Sequence, residues 1–488
     1  MTDGRPDPFE QLQARLAVLG PKALSDLESG TIVVLPSITF PVEELRKIIG
    51  IARYEERLLC LLLLLQTPGM EMVFLTSLPV DEAIVSYYLS FLDDPEDAAR
   101  RLTMVTLSDD APLSLSEKLL NRPDKLSEIS GLLEGREAFL LPFNVTAAER
   151  AIAIEVGAPI YGPGPGHAYD GSKSGSRHVA REAGVPVPIG AEDLHSIPAI
   201  DGALRVLKEA RPGARSAVVK INYGFSGQGN VIVDLDRFDG SVLEAPVAFC
   251  ASEESWSSFV SKIERDGAIV EEMLRAEEMA SPSVQMRIAP DGSVEELSTH
   301  DQILGGPDDQ VYLGCRFPAD PSYRPLISAA ASSIGKVLSS KGVVGAFGMD
   351  FLVAPTQSGF DVFLSEINLR LGGTSHPFYV AKLVTGGTYD PSSGRLLTSQ
   401  GQTCYVATDN IKSDAYRALT PPMLIEAIRS RGLAFHRGSN SGVVLHLLGA
   451  LKEHGKLGVT CIAHGVEAAD DLYADLVAVL DEFASGHT

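Results

Sequence analysis

Residues 359–377, GFDVFLSEINLRLGGTSHP, read as a core strand that ends in charge. Strand side chains alternate faces, so Val362, Leu364, Glu366, Asn368 and Arg370 are expected on one face and Phe363, Ser365, Ile367 and Leu369 on the other. A carboxylate, a carboxamide and a guanidinium in a sheet interior are costly unless a metal ion, a phosphate or an opposite charge compensates them. Upstream, residues 343–355, VVGAFGMDFLVAP, form a second strand-like run carrying Asp350, and the intervening APTQSG supplies turn residues, so the two runs predict a β-hairpin. Pairing of positions of equal parity places Asp350, Glu366 and Asn368 on one face. Such hard oxygen donors suit Mg²⁺, with substrate phosphates completing its octahedron. The structural alternative is an Asp350–Arg370 ion pair, with Glu366 and Asn368 capping the strand end.

A chain of 488 residues exceeds one ordinary core, and about two to four domains are expected. With 45% hydrophobic and 22% charged residues the composition is globular. A net charge of −23 argues against nucleic acid or an anionic membrane as partner, which directs attention to cations beside glycines. The five cysteines show no paired or metal-type spacing and are expected as thiols in a reducing compartment, the cytoplasm. The N-terminal residues lack a signal-peptide pattern. The apolar run at residues 58–66, LLCLLLLLQ, is too short for a membrane span and predicts a helix buried in a core.

Strand-like runs (GTIVVLPS, MEMVFLTS, LTMVTLS) alternate with helix-like stretches through the first 165 residues, which predicts an α/β domain on a largely parallel sheet. One of those stretches, PVEELRKIIGIARYEERLLCLLLLL, reads as a single helix. Residues 160–176, rich in Gly, Pro and Ser, form the best boundary. Beyond them come a helix ending near Gly184, a hairpin turning at Asp291 and Gly292, and, after about residue 386, amphipathic helices around further strands.

A second constellation is VVKINYGFSGQGNVIV, in which Lys220 ends one strand, Gly224, Gly227 and Gly229 fill a loop, and a second strand follows. Glycines let backbone N–H groups close on phosphate oxygens and the lysine adds charge, although an ordinary turn has the same composition. A strand follows where the Walker loop has a helix, and the spacing is not that of the dinucleotide fingerprint. Lys173 before a helix, Lys220 before the glycine-rich hairpin, IVEEML, Glu278, and then Asp350, Glu366 and Asn368 resemble, in order, the ATP-grasp fold over residues 166–385. The resemblance implies α/β and α+β architecture: an N-terminal pre-ATP-grasp domain (1–165), a lid-bearing subdomain (166–275), a metal-binding catalytic subdomain (276–385) and a C-terminal α/β extension packed on it (386–488).

It also implies roles. Lys173 and Lys220 would contact ATP phosphates beneath a lid comprising Gly224, Ser226, Gly227, Gln228 and Gly229. Glu271, Glu272 and the backbone to Leu274 would read adenine, Glu278 the ribose, and Asp350, Glu366 and Asn368 would hold Mg²⁺. D-alanine ligases and their relatives usually carry an arginine two residues before the metal-binding aspartate, where this chain has Gly348; Arg370, Arg287 and Arg316 are the donors left to replace it.

VFLTSLPVDEAIVSYYLS, STHDQILGGPDDQVYLGCRFPAD, EINLRLGGTSHPF and GVVLHLLGALKEHGKLGVTCIA resemble, nearly end to end, the ATP-grasp peptide ligases of the pheganomycin type. That resemblance implies a carboxylic acid and an amine or peptide as substrates, joined through an acyl-phosphate. It places His300, Asp301, Gln302, Arg316, Thr374, Ser375 and His376 around them; the sequence does not identify the base, for which His376 and a glutamate are both open. Read without it, His300 and Asp301 form a turn hydrogen bond, Arg316 an ion pair and His376 a satisfied core imidazole. A kinase that leaves phosphate on its substrate and a nucleotide-binding regulator are the other functions open to the fold, and a homodimer is one assembly open to it.

Overall fold

The computed structural model describes residues 7–20, 22–224, 229–251, 254–275, 278–305 and 311–487. Three sheets organise them. The N-terminal sheet is parallel, in the order β3-β2-β1-β4, with β1 Ser29–Leu35, β2 Gly69–Thr76, β3 Leu102–Thr106 and β4 Ala138–Pro142. Both faces are covered, as a parallel sheet requires. Val33, Leu35, Val73 and Leu75 pack on the helices Leu115–Leu120, Pro123–Leu133 and Ala147–Val156, whereas Ile32, Val34, Met72 and Phe74 face the leucine-rich run.

That run is not one helix. A short helix, Val42–Leu45, stops before Gly50, which takes φ +73°, and a 3₁₀ stretch, Ile51–Gln66, follows. The left-handed glycine turns the chain, so the apolar stretch starts afresh in a new direction. Leu58 to Leu65 are all at most 4% exposed and pack against Phe378, Val380, Ala381 and Val384 on the far side. One continuous core therefore joins the N-terminal sheet to the rest of the molecule. Among the described residues no helix is long and apolar enough to cross a membrane, and all five cysteines are free and buried.

The second sheet is antiparallel, in the order β5-β9-β6-β7-β8: β5 Gly190–Leu194, β6 Ser216–Ile221, β7 Asn230–Asp234, β8 Val247–Phe249 and β9 Ala268–Glu272. The third, ten-stranded, begins β14-β13-β10-β11-β12, with β10 Pro282–Ile288, β11 Val294–Gly305, β12 Val311–Phe317, β13 Gly345–Thr356 and β14 Gly359–Asn368. It continues through β15 Thr388–Asp390, β16 Arg395–Thr398, β17 Gly401–Lys412, β18 Gly442–His446 and β19 Lys456–Ala463, so the C-terminal segment extends this sheet edge to edge through the β12–β17 pairing. The helix Arg324–Ser340 covers one face, burying Ile327, Ala331, Ile334 and Leu338 against Val284, Met286, Phe347 and Met349.

The strand alternation expected of β14 breaks at one point. Asp350 pairs with Glu366, but Phe351 pairs with Leu364, so Ser365 is the extra residue of a β-bulge. Leu364 consequently joins Ile367 in the core instead of sharing the face of Glu366 and Asn368. The other hairpin partner needs no such correction, since Phe347, Met349, Phe351 and Val353 face the core while Gly348, Asp350 and Leu352 face a cleft.

The helix Lys173–Glu182 is tied to this hairpin: the Ile367 amide donates to Ser176 Oγ at 2.9 Å. Gly175 lets it approach the preceding loop, since a Cβ there would lie 1.7 Å from the Tyr169 carbonyl oxygen. Gly175→Ala is expected to destabilise the protein by about 1–3 kcal/mol through overpacking against backbone that cannot yield. A wild-type denaturant midpoint for this variant would contradict the packing described.

Candidate active site

Sheets two and three face one another across a cleft of about 560 Å³. The smaller sheet contributes Val218 and Lys220 from β6 and Glu271 to Arg275 from the end of β9; the larger contributes Gln285, Gln302, Tyr312, Gly348, Asp350, Glu366 and Asn368. The loop after β14 adds Arg370, Gly372, Gly373 and Thr374.

Asp350 and Glu366 lie directly across β13 and β14. Asn368 sits between them, its Nδ2 donating at 2.9 Å to Asp350 Oδ2 and at 3.0 Å to Glu366 Oε1, while Gln302 Nε2 donates to Asp350 Oδ1 at 2.7 Å. Arg370 donates to Asn368 Oδ1 and its guanidinium lies 5.7 Å from the Phe40 ring centroid. Lys173, first residue of its helix, forms an ion pair with Glu366. Burial pushes the Asp350 carboxyl up to about 6 against the pull of Lys173 and Arg370. Burial, with Lys220 and Arg370 close by, pushes the Lys173 ammonium down to about 7, and burial lowers Arg370 to about 10. A carboxylate that costly to ionise gains from a cation, and two carboxylates with a carboxamide form a donor set that fits Mg²⁺.

On the opposite wall, Lys220 Nζ lies 2.6 Å from Glu271 Oε1, and Arg177 Nη1 binds Glu271 Oε2 at 2.9 Å. Both lysines are under 10% exposed, so each depends on its carboxylate for solvation. Leu274 lines the cleft, and Glu272 meets it with its carboxylate turned outward to the Ile189 amide and Arg211. Gly224 and Gly229 close the stem of the loop between β6 and β7; Ser226, Gly227 and Gln228 lie outside the described residues. Glu278 is exposed and not among the cleft-lining residues.

Several residues expected around the substrates are placed elsewhere. His300 is fully buried against Phe317 and Tyr405, with Nε2 2.6 Å from the Tyr405 hydroxyl, and burial pushes its imidazole down to about 3. Asp301, the next residue, points to the other face and accepts from the Tyr323 hydroxyl at 2.6 Å and the Asp320 amide at 2.9 Å. Arg316 pairs with Asp470 of the helix Val466–His487 at 3.0 Å, and Arg287 is held by Glu295, Tyr161 and the Lys22 carbonyl. Of the three candidate arginines, Arg370 is the one that lines the cleft. Thr374 lines it too, whereas Ser375 caps the turn by accepting from the Gly372 amide, and His376 is 1% exposed, set against Asp409 and His446.

Residues not singled out from the sequence also line the cleft. Gln285 stands across from Gly348, and a Cβ at Gly348 would come to 3.0 Å from the Gln285 amide, so a side chain there requires that amide to shift. Tyr312 packs on Gly373, and Arg275, Met273, Met279 and Leu352 supply the remaining wall. Gln285 is separated from the β13–β14 hairpin by about 60 residues of sequence, and nothing local marks its face.

Comparison with known proteins agrees with this fold. A profile of the IQCH-like ATP-grasp family matches residues 242–392, and one of the PGM1 C-terminal domain matches residues 423–476. The chain is 35% identical over 429 residues to an L-propargylglycine–L-glutamate ligase of Streptantibioticus cattleyicolor, covering 85% of this chain and 86% of that one. It is 21% identical to IQ motif-containing protein H of Danio rerio over 62% of this chain and 34% of that protein. Among solved structures, biotin carboxylase from Campylobacter jejuni superposes with TM-score 0.55, 16% identity and coverage of 90% and 89%; an ADP complex of N5-carboxyaminoimidazole ribonucleotide synthetase gives 0.53, 14%, and 93% and 98%.

The buried carboxyl carries a stability signature. With its native value near 6, above the ordinary carboxylate value of 3.8, folded Asp350 keeps a proton that the unfolded chain has released, so its contribution becomes unfavourable as pH rises through that window. Asp350→Asn is therefore expected to be more stable than wild type above pH 6 by on the order of 2 kcal/mol, with the gap closing toward pH 4. Denaturant midpoints measured across that range test this; a gap independent of pH would contradict it.

Proposed function

Because the chain belongs to the ATP-grasp ligases, we propose that it couples ATP cleavage to amide formation between the carboxylate of one amino acid and the amine of a second amino acid or a peptide. The observation that carries this reading is the convergence of Lys173, Lys220, Asp350, Glu366, Asn368 and Arg370 on one cleft between two sheets. The amino-acid class is supported by the 35% identical ligase, whose own substrates are L-propargylglycine and L-glutamate.

Lys173 and Lys220 are assigned to the phosphates. Each is buried and already held by one carboxylate, so a phosphate oxygen replaces or joins that partner without a new desolvation cost. Asp350, Glu366 and Asn368 would hold Mg²⁺, which would supply charge neutralisation at the phosphates. Met273, Leu274, Met279 and Leu352 offer apolar surface for adenine at the end of β9, and Glu278, exposed and next in sequence to Met279, is assigned to the ribose. Gly224 and Gly229, close together where the chain leaves β6 and enters β7, are assigned a place beside the phosphates. Arg370 orients the attacking carboxylate and balances the charge that accumulates as phosphoryl transfer proceeds. The amine then displaces phosphate from the activated acyl group. His376, buried, set against Asp409 and not among the cleft-lining residues, is assigned no part in taking the amine's proton.

ADP and phosphate are expected in equal amounts, formed only when an acid and an amine are both supplied; AMP and pyrophosphate would overturn the reading. Lys220→Ala is expected to raise KM for ATP roughly 10–100-fold through loss of a charge-assisted contact. Arg370→Ala should abolish amide formation while Arg316→Ala stays within about twofold of wild type, because Arg316 is committed to Asp470 outside the cleft. Equal losses in both arginine variants would contradict the assignment.

A further inference from the structure

Behind the cleft, His376 at the start of the helix Ser375–Thr385, Asp409 in β17 and His446 at the end of β18 converge on one point. The two Nε2 atoms are 3.1 Å apart, His376 Nε2 is 3.1 Å from Asp409 Oδ1, and His446 Nε2 is 2.7 Å from the same oxygen. All three side chains are at most 4% exposed. We infer that these residues form a site for a transition-metal ion of the Zn²⁺ class, separate from the Mg²⁺ site in the cleft.

Proton bookkeeping favours an ion over a hydrogen-bonded triad. If both Nε2 atoms carry hydrogen they confront one another, and if one does not, its lone pair faces a carboxylate oxygen about 3 Å away. No assignment of protons to two neutral rings removes every like-to-like contact. A cation accepts all three lone pairs at once. Both Nδ1 atoms are buried without a hydrogen-bond partner among the described residues, so each ring makes its polar contacts through Nε2, at the cluster.

The backbone makes room for this convergence. β17 slips register between Thr408 and Ile411, a bulge that carries Asp409. Gly458 of β19 pairs with His446, and a Cβ there would lie 2.1 Å from His446 Nε2 and 3.0 Å from Asp409 Oδ1. Any other residue at Gly458 would occupy the space of the cluster. Asp409 Oδ2 forms an ion pair with Arg57 Nη2 at 2.5 Å, while Oδ1 is the oxygen that meets both imidazoles.

Two imidazoles and one carboxylate select Zn²⁺ or a similar ion over Mg²⁺, which prefers oxygen and water. The ion would pin the helix Ser375–Thr385, and with it the preceding loop containing Gly372 to Thr374, to the C-terminal strands.

The test is metal binding itself, read on the full chain without reference to ligase activity. One equivalent of Zn²⁺ is expected per chain, either retained after dialysis against excess Mg²⁺ or taken up saturably by chelator-treated protein. Co²⁺ in its place should give the visible absorption of a low-coordinate nitrogen–oxygen site and be displaced by Zn²⁺. His446→Ala, Asp409→Asn and Gly458→Ala should each bind at least about tenfold more weakly, whereas Glu366→Gln retains the full equivalent. Should a variant misfold, the wild-type Co²⁺ spectrum and stoichiometry still decide. No saturable site in the wild type, or binding that folded His446→Ala leaves unchanged, would overturn the proposal.

Discussion

The register of one hairpin sets up everything else in the cleft. Asp350 faces Glu366 because β13 and β14 pair residue for residue up to that point, and a single bulge residue, Ser365, then lets the remainder of β14 keep its apolar side in the core. Without the bulge, Leu364 and Glu366 would share a face, and either a leucine would enter the cleft or a carboxylate would enter a core packed by Phe347, Met349 and Ile334. A one-residue slip exchanges the two faces of a strand, so the bulge acts as the switch between the core part of β14 and its chemical part.

Around that hairpin each buried cation is matched with a carboxylate. Lys173 meets Glu366, Lys220 meets Glu271, and Arg177 joins Glu271 from behind. Buried pairs of this type contribute little net stability, because the desolvation of both ions offsets their attraction. Their use is positional. In a protein of net charge −23, both lysines are held under 10% exposure on facing walls of one cleft. The N-terminal sheet takes part through its core, since the leucine-rich run packs on the helix that follows the Arg370–Thr374 loop, and Phe40 lies beside Arg370.

Much of this was legible in residue patterns that are local. The β13–β14 hairpin, the strand carrying Lys220 and the parallel N-terminal alternation each follow from periodicity and turn chemistry within about 30 residues. What sequence reading missed depends on contacts between distant segments. Neither the bulge at Ser365 nor the opposition of Gln285 to Gly348 has a local signal, and the left-handed turn at Gly50 lies inside a pattern that reads as continuous helix. Several residues expected around the substrates do not line the cleft, for the same reason. Asp301 and Arg316, paired across β11 and β12, alternate away from the cleft-lining Gln302 toward Tyr323 and Asp470, whereas His300 shares the face of Gln302 but is buried against Tyr405.

The central claim is that the cleft activates a carboxylate by phosphorylating it, with Arg370 holding the nucleophile against the charge on Asp350, Glu366 and the phosphates. In that chemistry a carboxylate oxygen becomes the bridging oxygen of the acyl-phosphate and leaves with the phosphate when the amine attacks. The most direct measurement supplies the acid with both carboxylate oxygens as oxygen-18 and examines the released phosphate by mass spectrometry. The account predicts one labelled oxygen per phosphate, matched to each amide formed; amide formation accompanied by unlabelled phosphate would contradict it.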